Sequence, residues 1–277
     1  MNKLLLIDGS NLLFQMYFGM PARITNKDGN PIHGILGFVG ALLKIIRMTQ
    51  PTHIAVLFDG EHHNARKDID GDYKANRPDF GEEDNPFSQL PDIYSALDYL
   101  NIKHTETTDC ETDDWIASYA LNADADTEII ISSFDSDFFQ LVTDRVSVLR
   151  YRGDKTAICD TAYIKEKLGI PPALYADYKS LTGDKADNIK GADKIGAKTA
   201  AGLVNEFGGI ESIIANADKI KKPSIRESVI TNTERIRKNY QLIKLQNNVK
   251  LPFALAELEY EYNGITTNKV LTAIGVK

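Results

Sequence analysis

The chain has 277 residues, a formal net charge of −7, 43% hydrophobic residues and 26% charged residues, as is typical of a water-soluble protein with a sizeable core. Its two cysteines, Cys110 and Cys159, exclude the disulfide framework of a small secreted domain and show no metal-ligand spacing. No segment approaches the roughly 20 apolar residues that span a bilayer, and the first apolar run is too short for a signal peptide. We therefore expect a soluble cytoplasmic protein with no membrane partner.

Short apolar runs alternate with helical patterns in the first part of the chain. We predict strands at residues 3–8, 53–59, 128–133 and 147–151, with helices at 33–50, 88–101 and 111–123. Strands separated by helices are typical of a mainly parallel sheet that is buried on both faces. After Pro171 and Pro172 the pattern is helical, with glycine-rich breaks at 191–196 and 208–209. The sequence predicts an α/β region at residues 1–172 and an all-helical region at 173–277.

The charge is distributed unevenly between these two regions. Residues 1–172 contain 16 Lys and Arg against 27 Asp and Glu, a balance of −11. Residues 173–277 contain 16 against 12, a balance of +4. A basic region behind an acidic one suggests two different tasks, although scatter along a solvated surface would give the same counts.

Carboxylates recur at the ends of the predicted elements. Two follow the first two strands, two follow the third strand, three begin the helix at 111–123, and two lie in the segment LTGDKADN. Ligands of open parallel sheets bind beyond the carboxyl ends of the strands, so we expect these side chains to gather at one edge. The nine are Asp8, Asp59, Glu111, Asp113, Asp114, Asp135, Asp137, Asp184 and Asp187.

Each group of acids has an ordinary structural explanation. Acidic residues favour turns at strand ends, first turns of helices and exposed loops. Nine ionised carboxylates at one edge would, however, repel one another strongly without a compensating cation. Oxygen ligands at this density suit Mg²⁺ or Mn²⁺, so the sequence predicts a site for two or more divalent ions.

Six motifs occur along the chain in an order that resembles the five-prime nuclease family. This family includes the N-terminal exonuclease domain of bacterial DNA polymerase I, stand-alone bacterial homologues and phage flap endonucleases. The motifs are LLIDGSNLLF, VLFDG, DYKANRP, ETDDWIAS, SSFDSDFFQLV and LTGDKADNIKGADKIGAKTA. The segment IDGSN is a weak indication by itself and the last motif is a strong one, whereas the ordered set is very specific. Ser133 and Phe134 depart from the commoner small or charged pair, and an acidic GEED occupies residues 81–84.

The resemblance implies a PIN-like nuclease core in which the nine acids hold divalent ions beside the scissile phosphate of DNA. It implies a two-metal hydrolysis at 5′ flaps and 5′ single-stranded ends, in primer removal, replication and repair, by a monomer. It also implies a helical arch at about 64–92, with Lys74 and Arg77 as catalytic residues near the scissile phosphate, and a helix-hairpin-helix at about 185–208 that holds K⁺. The expected DNA contacts are Arg66, Lys67, Tyr73, Lys74, Arg77, Lys190, Gly191, Lys194, Gly196 and Lys198.

Two alternatives stay open at this point. A PIN-type ribonuclease also clusters acids on a parallel sheet, although the arch and the C-terminal hairpin disfavour it. A DNA-structure-binding protein of the same fold could turn over poorly. Basic residues of the predicted arch could also form an ordinary solvated helix face, and the glycine-rich segment could be a simple packing corner.

Overall fold

The structure, a computed structural model, describes residues 2–62, 64–76 and 85–276. Its centre is a six-stranded sheet in the order β3-β2-β1-β4-β5-β6. The strands from β3 to β5 run parallel, and β6 pairs with β5 in the antiparallel sense. The predicted mainly parallel α/β fold is confirmed. The strands are β1 Lys3–Asp8, β2 His53–Phe58, β3 Lys103–Glu106, β4 Glu128–Ser132, β5 Val146–Arg150 and β6 Ala157–Cys159.

Helices cover both faces of this sheet and form most of the C-terminal region. The three predicted helices correspond to α2, α4 and α5, with ends that differ by a few residues. None of the helices in the described residues is long and apolar enough to cross a membrane. The helices are α1 Gly9–Gly19, α2 His33–Thr49, α3 Ala65–Ile69, α4 Leu90–Tyr99, α5 Thr112–Asn122, α6 Thr161–Leu168, α7 Tyr175–Thr182, α8 Ala197–Phe207, α9 Ile210–Ala215, α10 Pro223–Thr231, α11 Thr233–Ile243 and α12 Thr267–Ala273.

The central strand β1 contributes to two hydrophobic clusters because successive side chains of a strand point to opposite faces. Leu4 and Leu6 pack in the cluster that contains α5 and most of the C-terminal helices. Leu5 and Ile7 pack in the cluster that contains α2 and α4. All four are at most 1% exposed, so β1 is a rigid support for whatever follows its carboxyl end.

The C-terminal region is mainly helical, as predicted, with two additions. A short antiparallel ribbon, β7 Gly183–Asp184 and β8 Ile189–Lys190, follows α7. After α11 the chain returns to the α/β region, where the Tyr119 hydroxyl donates to the carbonyl of Phe253 at 2.9 Å. Val270 and Leu271 of α12 complete the cluster on the α2 face. The predicted boundary at residue 172 therefore does not separate two independent cores.

The predicted arch at about 64–92 lies partly outside the described residues, which include neither Arg77 nor the acidic segment 81–84. The part before the gap contains α3 and the turns that lead to Asn76. Asp70 accepts a hydrogen bond from Lys238 of α11 at 2.7 Å, and the Asn76 amide donates to the carbonyl of Lys185 at 3.0 Å. The base of the predicted arch is therefore fixed to the C-terminal region.

Candidate active site

The first two acids emerge side by side because their strands are paired neighbours. Asp8 ends β1 and caps α1, accepting from the Asn11 N–H at 3.0 Å and from the Ser133 hydroxyl at 2.8 Å. Asp59 follows the last residue of β2, and its N–H donates to Ser10 Oγ at 2.9 Å. Both carboxylates thus lie at the carboxyl ends of parallel strands, where ligands of such sheets bind.

Asp135 and Asp137 lie at the same edge, after β4. A chain of local bonds orders them: the Asp135 N–H donates to Ser133 Oγ at 3.0 Å, and the Asp137 N–H donates to Asp135 Oδ1 at 2.8 Å. Asp137 is 9% exposed, and its Oδ1 is buried without a hydrogen-bond partner in the described part of the chain. Burying a carboxylate oxygen without a hydrogen-bond donor costs folding free energy. We infer that a cation bound at this oxygen would offset that cost.

The acids that begin α5 divide into two roles. Glu111 forms ion pairs with Lys74 Nζ at 2.5 Å and with Arg66 Nη1 at 2.7 Å. Both Asp114 oxygens accept from the Arg66 guanidinium at 2.8 and 2.9 Å, and Oδ1 also accepts from the Gln246 N–H at 2.8 Å. Asp114 is 1% exposed. Its role as a metal ligand stays a prediction, and in this arrangement its carboxylate holds Arg66 and the chain after α11.

The last two acids lie on the β7–β8 ribbon and its turn. Asp184 Oδ2 pairs with Lys179 Nζ of α7 at 2.6 Å. The carbonyl of Asp187 accepts from the Lys74 N–H at 3.0 Å, and its side chain is 3.5 Å from the Tyr73 hydroxyl. Sequence reasoning missed Lys179, because a lysine five residues before Asp184 on a helix has no signal of its own. We use the term carboxylate edge for the nine predicted acids without Asp114.

Burial and mutual repulsion hold several of these acids toward their neutral forms. Burial, and then Asp59, raises the pKa of Asp8 to about 7. Burial, followed by the charge of Asp135, raises the pKa of Asp113 and of Asp137 well above the usual range. Burial also raises the pKa of Asp135, and Asp187 adds to this rise. Several acids of the carboxylate edge therefore resist ionisation at neutral pH when no cation compensates their charge.

Glu111 behaves in the opposite way. Burial acts to raise the pKa of its carboxyl, but Lys74 and Arg66 outweigh burial and lower it. The Asn64 amide also donates to Glu111 Oε1 at 2.8 Å. Glu111 is thus an ionised carboxylate at neutral pH, with cations already beside it.

The donor set fits divalent ions that keep part of their water shell. Within the described residues, no three Asp, Glu, His or Cys side chains converge closely enough to enclose an ion by themselves. Mg²⁺ retains several waters and binds through one or two carboxylates plus substrate phosphate oxygens, which suits acids that are close but not convergent. The unpartnered oxygen of Asp137 and the raised pKa values of its neighbours are the features that a cation would relieve.

Two of the predicted DNA contacts of the arch base are buried instead. Arg66 is 5% exposed, and its Nε donates to the carbonyl of Leu242 at 2.9 Å. Tyr73 is 3% exposed, and its hydroxyl is 3.2 Å from Glu111. Their prediction as DNA contacts is wrong, because both side chains are engaged inside the protein. Lys67 is exposed, and Lys74, 12% exposed at its side chain, lies among the acids.

Residues 190–198, the lysine hairpin, join the β8 strand to α8. Lys190, Lys194, Gly196 and Lys198 are exposed there. A Cβ on Gly196, the residue before α8, would meet no atom within 4 Å, which leaves this helix start open. A Cβ on Gly191 would lie 2.3 Å from the carbonyl oxygen of Thr182, so the close approach at Gly191 is to its own chain.

The predicted start of the helix-hairpin-helix near residue 185 is wrong. Residues 185–190 form the turn and second strand of the ribbon, and the helix that precedes the hairpin is α7. The periodic pattern does not reveal the ribbon, because each of its strands has two residues and depends on tertiary contacts.

Two family models together match nearly the whole chain. A "5'-3' exonuclease, N-terminal resolvase-like domain" matches residues 3–169, and a "5'-3' exonuclease, C-terminal SAM fold" matches residues 170–265. The chain belongs to the 5′-3′ exonuclease family. The resemblance found in the sequence motifs is thereby confirmed.

Relatives of this chain include longer proteins. DNA polymerase I of Rhizobium leguminosarum is 36% identical over 267 residues, which cover 93% of this chain and 26% of the relative. The thermostable DNA polymerase I of Thermus aquaticus is 33% identical over 256 residues, covering 92% and 30%. The chain thus spans between a quarter and a third of the length of these relatives.

Solved structures share the fold of this exonuclease chain at low identity. T5 5′-exonuclease with bound zinc ions superposes with a TM-score of 0.72 at 22% identity, covering 88% of this chain and 90% of that one. The catalytic core of Rad2 in complex with DNA substrate superposes with a TM-score of 0.61 at 13% identity, covering 99% and 92%. At these identities the likeness establishes the fold.

Proposed function

We propose that the protein is a divalent-metal-dependent 5′-3′ exonuclease and flap endonuclease that hydrolyses phosphodiester bonds of DNA. The observation that carries the proposal is the carboxylate edge, with the unpartnered Oδ1 of Asp137 beside acids of raised pKa. A metal-independent fold would gain nothing from keeping such charges together, because each buried like charge costs stability. The family membership and the DNA- and metal-bound structural neighbours support the same reading.

The ions that fit this donor set are Mg²⁺ or Mn²⁺, two or more at the site. Asp8, Asp59, Glu111, Asp113 and Asp135 would hold ions on one side, and Asp137, Asp184 and Asp187 on the other. When bound, such ions lower the pKa of a coordinated water and stabilise charge on the leaving oxygen. The rigid ends of β1 and β4 keep these carboxylates in place while the substrate changes shape.

Lys74 is the residue that we assign to the scissile phosphate. Its Nζ lies 2.5 Å from Glu111, and its positive φ of 56° is supported by the bond from its N–H to the carbonyl of Asp187. The backbone is thus held in a conformation that non-glycine residues seldom adopt, and strain of this kind occurs at functional sites. An ammonium group here would stabilise phosphate charge that develops during cleavage. Arg77 is proposed for the same purpose, from the family motif.

The lysine hairpin is proposed to hold the duplex away from the cleavage point. Lys190, Lys194 and Lys198 are exposed cations without base-reading geometry, which suits backbone phosphates. The open start of α8 offers N–H groups to one phosphate, and we extend the proposal to K⁺ held at the hairpin. We propose further that the protein acts as a monomer on 5′ flaps and 5′ single-stranded ends, in primer removal and repair in the cytoplasm.

The test is a cleavage assay on two substrates. With Mg²⁺ or Mn²⁺ the protein should cut 5′-flapped duplex DNA and leave a 5′-phosphate, and EDTA should abolish the cleavage. Single-stranded RNA of the same length should persist, whereas preferential RNA cleavage would identify a PIN-type ribonuclease. Tight flap binding without turnover would identify a DNA-structure-binding protein. Strong cleavage in chelated, metal-free buffer would refute the metal-dependent mechanism.

A further inference from the structure

A cavity of about 440 Å³ opens beside the carboxylate edge, next to Asp135, Asp137 and Asp184. Its walls come from β5, α6, α7 and the segment between Asp135 and Asp137. Ser136, which lies between two of the acids, lines it directly. The volume lies within the range of about 300–1,000 Å³ that is usual for small-molecule sites. The cavity is therefore large enough for one nucleotide and adjoins the metal-binding acids.

The walls of this cavity combine aromatic rings with cations. Tyr163, Tyr175 and Tyr178 contribute aromatic faces or edges, and Arg150, Lys167 and Lys179 contribute positive charge. Within the described residues, its lining contains no Asp or Glu. The chain has a net charge of −7, so a lining that has cations and no acids stands out from the rest of the protein. Such a lining favours a ligand that has both a negative charge and an aromatic ring.

Two of these cations lack an acidic partner. Lys179 pairs with Asp184, but no carboxylate in the described part of the chain forms an ion pair with Arg150 or Lys167. The Arg150 guanidinium lies 4.6 Å above the Phe139 ring and donates to the carbonyl of Phe134 at 3.0 Å. A stacked, backbone-anchored guanidinium is pre-organised and loses little freedom when an anion arrives.

The helix geometry places an aromatic ring and a cation at the mouth together. Tyr163 and Lys167 are four residues apart on α6, hence on one face, and Lys167 Nζ lies 5.9 Å from the Tyr163 ring centre. Tyr163 is half-buried against Phe139, with ring centres 6.3 Å apart in an edge arrangement, and Lys167 is exposed. A base could lie against the free face of Tyr163 while its phosphate meets Lys167 and Arg150.

We propose that this cavity binds one nucleoside 5′-phosphate unit adjacent to the metal-binding carboxylates. The inference rests on the proposed nuclease function and adds a substrate subsite to it. Stacking and cation contacts of this kind hold nucleotides without selecting a base, which suits an enzyme that cuts by structure. The unit is either a nucleotide of the DNA strand that passes the site or the free mononucleotide that exonuclease action releases. Both present the same ring and phosphate.

The test compares variants at the cavity mouth with matched controls. Tyr163→Leu should raise the Kd for flap DNA, measured in Ca²⁺, by roughly tenfold, as expected for one lost stacking contact. Lys167→Ala should raise it by about threefold and lower the salt slope by about one unit. Lys165→Ala, on the same helix but outside the cavity, and Tyr99→Leu, on α4, should leave both quantities unchanged. Thermal unfolding of each variant establishes that it is folded.

A second arm separates the two sources of the nucleotide. Titration calorimetry with dAMP, and photocrosslinking with 5-iododeoxyuridine placed at successive positions of the flap DNA, are carried out on wild type and Tyr163→Leu. A crosslink to Tyr163 from one position, with weakened DNA binding, identifies the strand. Binding of dAMP that Tyr163→Leu abolishes, with unchanged DNA affinity, identifies the released mononucleotide.

Failure of this inference differs from failure of the proposed function. The inference is overturned if wild type cuts flap DNA while both cavity variants match their controls, dAMP does not bind and no crosslink reaches Tyr163. If wild type cuts no flap DNA yet dAMP binds in a Tyr163-dependent way, the nuclease assignment fails and the nucleotide site stands.

Discussion

The carboxylate edge and the lysine hairpin handle charge in opposite ways. At the edge, burial and neighbouring carboxylates raise the pKa values of acids such as Asp8 and Asp137. At the hairpin, Lys194 and Lys198 are exposed to water and carry charge at little cost. Desolvated charges interact strongly but cost much desolvation free energy, whereas solvated charges cost little and each interacts weakly. In the proposed function, hydrolysis at one phosphate requires desolvated charges. Binding to many backbone phosphates requires solvated charges.

The position of each region in the fold follows from this difference. Five of the eight acids are attached to the ends of β1 and β4 and to the start of α5, whose buried residues cannot yield to repulsion. The lysines lie on a loop and a helix start, where side chains can follow a mobile DNA backbone. Arg66 and Lys74 contribute the positive charge that stabilises Glu111 on the acidic side.

The sharpest test of the comparison is removal of one buried acid. Asp137→Ala should lower single-turnover cleavage by on the order of a thousandfold, the upper range for loss of a preorganised charged group. DNA affinity in Ca²⁺ should change little. Because the substitution removes a buried carboxyl whose Oδ1 has no hydrogen-bond partner in the described part of the chain, the unfolding temperature in EDTA should rise. Reduced stability in EDTA together with near-normal cleavage would contradict the assignment of Asp137.

Arg66 tests whether positive charge holds the edge together. Arg66→Ala leaves Glu111 and Asp114 buried without their partner, and breaking such a pair costs about 3–5 kcal/mol of unfolding free energy. Urea unfolding measures the loss. Arg237→Ala, which removes an exposed arginine paired with Glu211, is the matched control and should have no measurable effect. Equal unfolding free energies of the two variants would show that Arg66 does not stabilise the fold through Glu111 and Asp114.

Lys74 should affect the chemical step at the edge. Lys74→Ala should slow single-turnover cleavage at saturating enzyme by roughly a hundredfold, because a cation that meets developing charge acts in the transition state. Its effect on Kd should be smaller. Lys67→Ala, an exposed lysine on the neighbouring α3, is the control and should retain most of the rate. A Lys74→Ala enzyme that reaches the wild-type rate at saturation would place Lys74 in binding alone.

The edge also predicts how stability depends on pH when no metal is present. The pKa of Asp8 is about 7 in the folded protein against 3.8 as its ordinary value, so the folded state binds more protons between these pH values. Stability in EDTA should therefore fall as the pH rises from about 4 to 7. Mg²⁺ should restore it most at high pH, and Asp8→Asn should flatten the curve. Melting curves at several pH values measure both effects.

The smallest expected effect belongs to the hairpin. Lys198→Ala should raise the Kd for flap DNA a few-fold and lower the salt slope of binding by about one unit, as for one lost phosphate contact. Cleavage at saturating enzyme should be unchanged, since remote contacts are equal in ground and transition states. If Lys198→Ala slows saturated cleavage as much as Lys74→Ala, with affinity unchanged, the proposed division between the two regions is wrong.

The sequence by itself determined the α/β class and eight acids of the carboxylate edge. Alternating apolar strands and amphipathic helices specify a parallel sheet, and acids after those strands must reach its carboxyl edge. Local patterns did not reveal β3, whose residues are partly exposed and carry no apolar run, or the antiparallel β6. Helix α1 also went unpredicted, because its apolar residues continue directly from Asp8.

Only the tertiary structure decided how the charged side chains are used. Arg66 and Tyr73 have the composition of DNA contacts, but Leu242 and the acids of α5 enclose them. Asp114 has the spacing of a metal ligand, and the fold also pairs it with Arg66. Lys179 approaches Asp184 only when α7 packs beside the ribbon. A charge pattern in sequence predicts which ions are attracted, whereas burial and partners, which arise from long-range packing, decide which charges remain available.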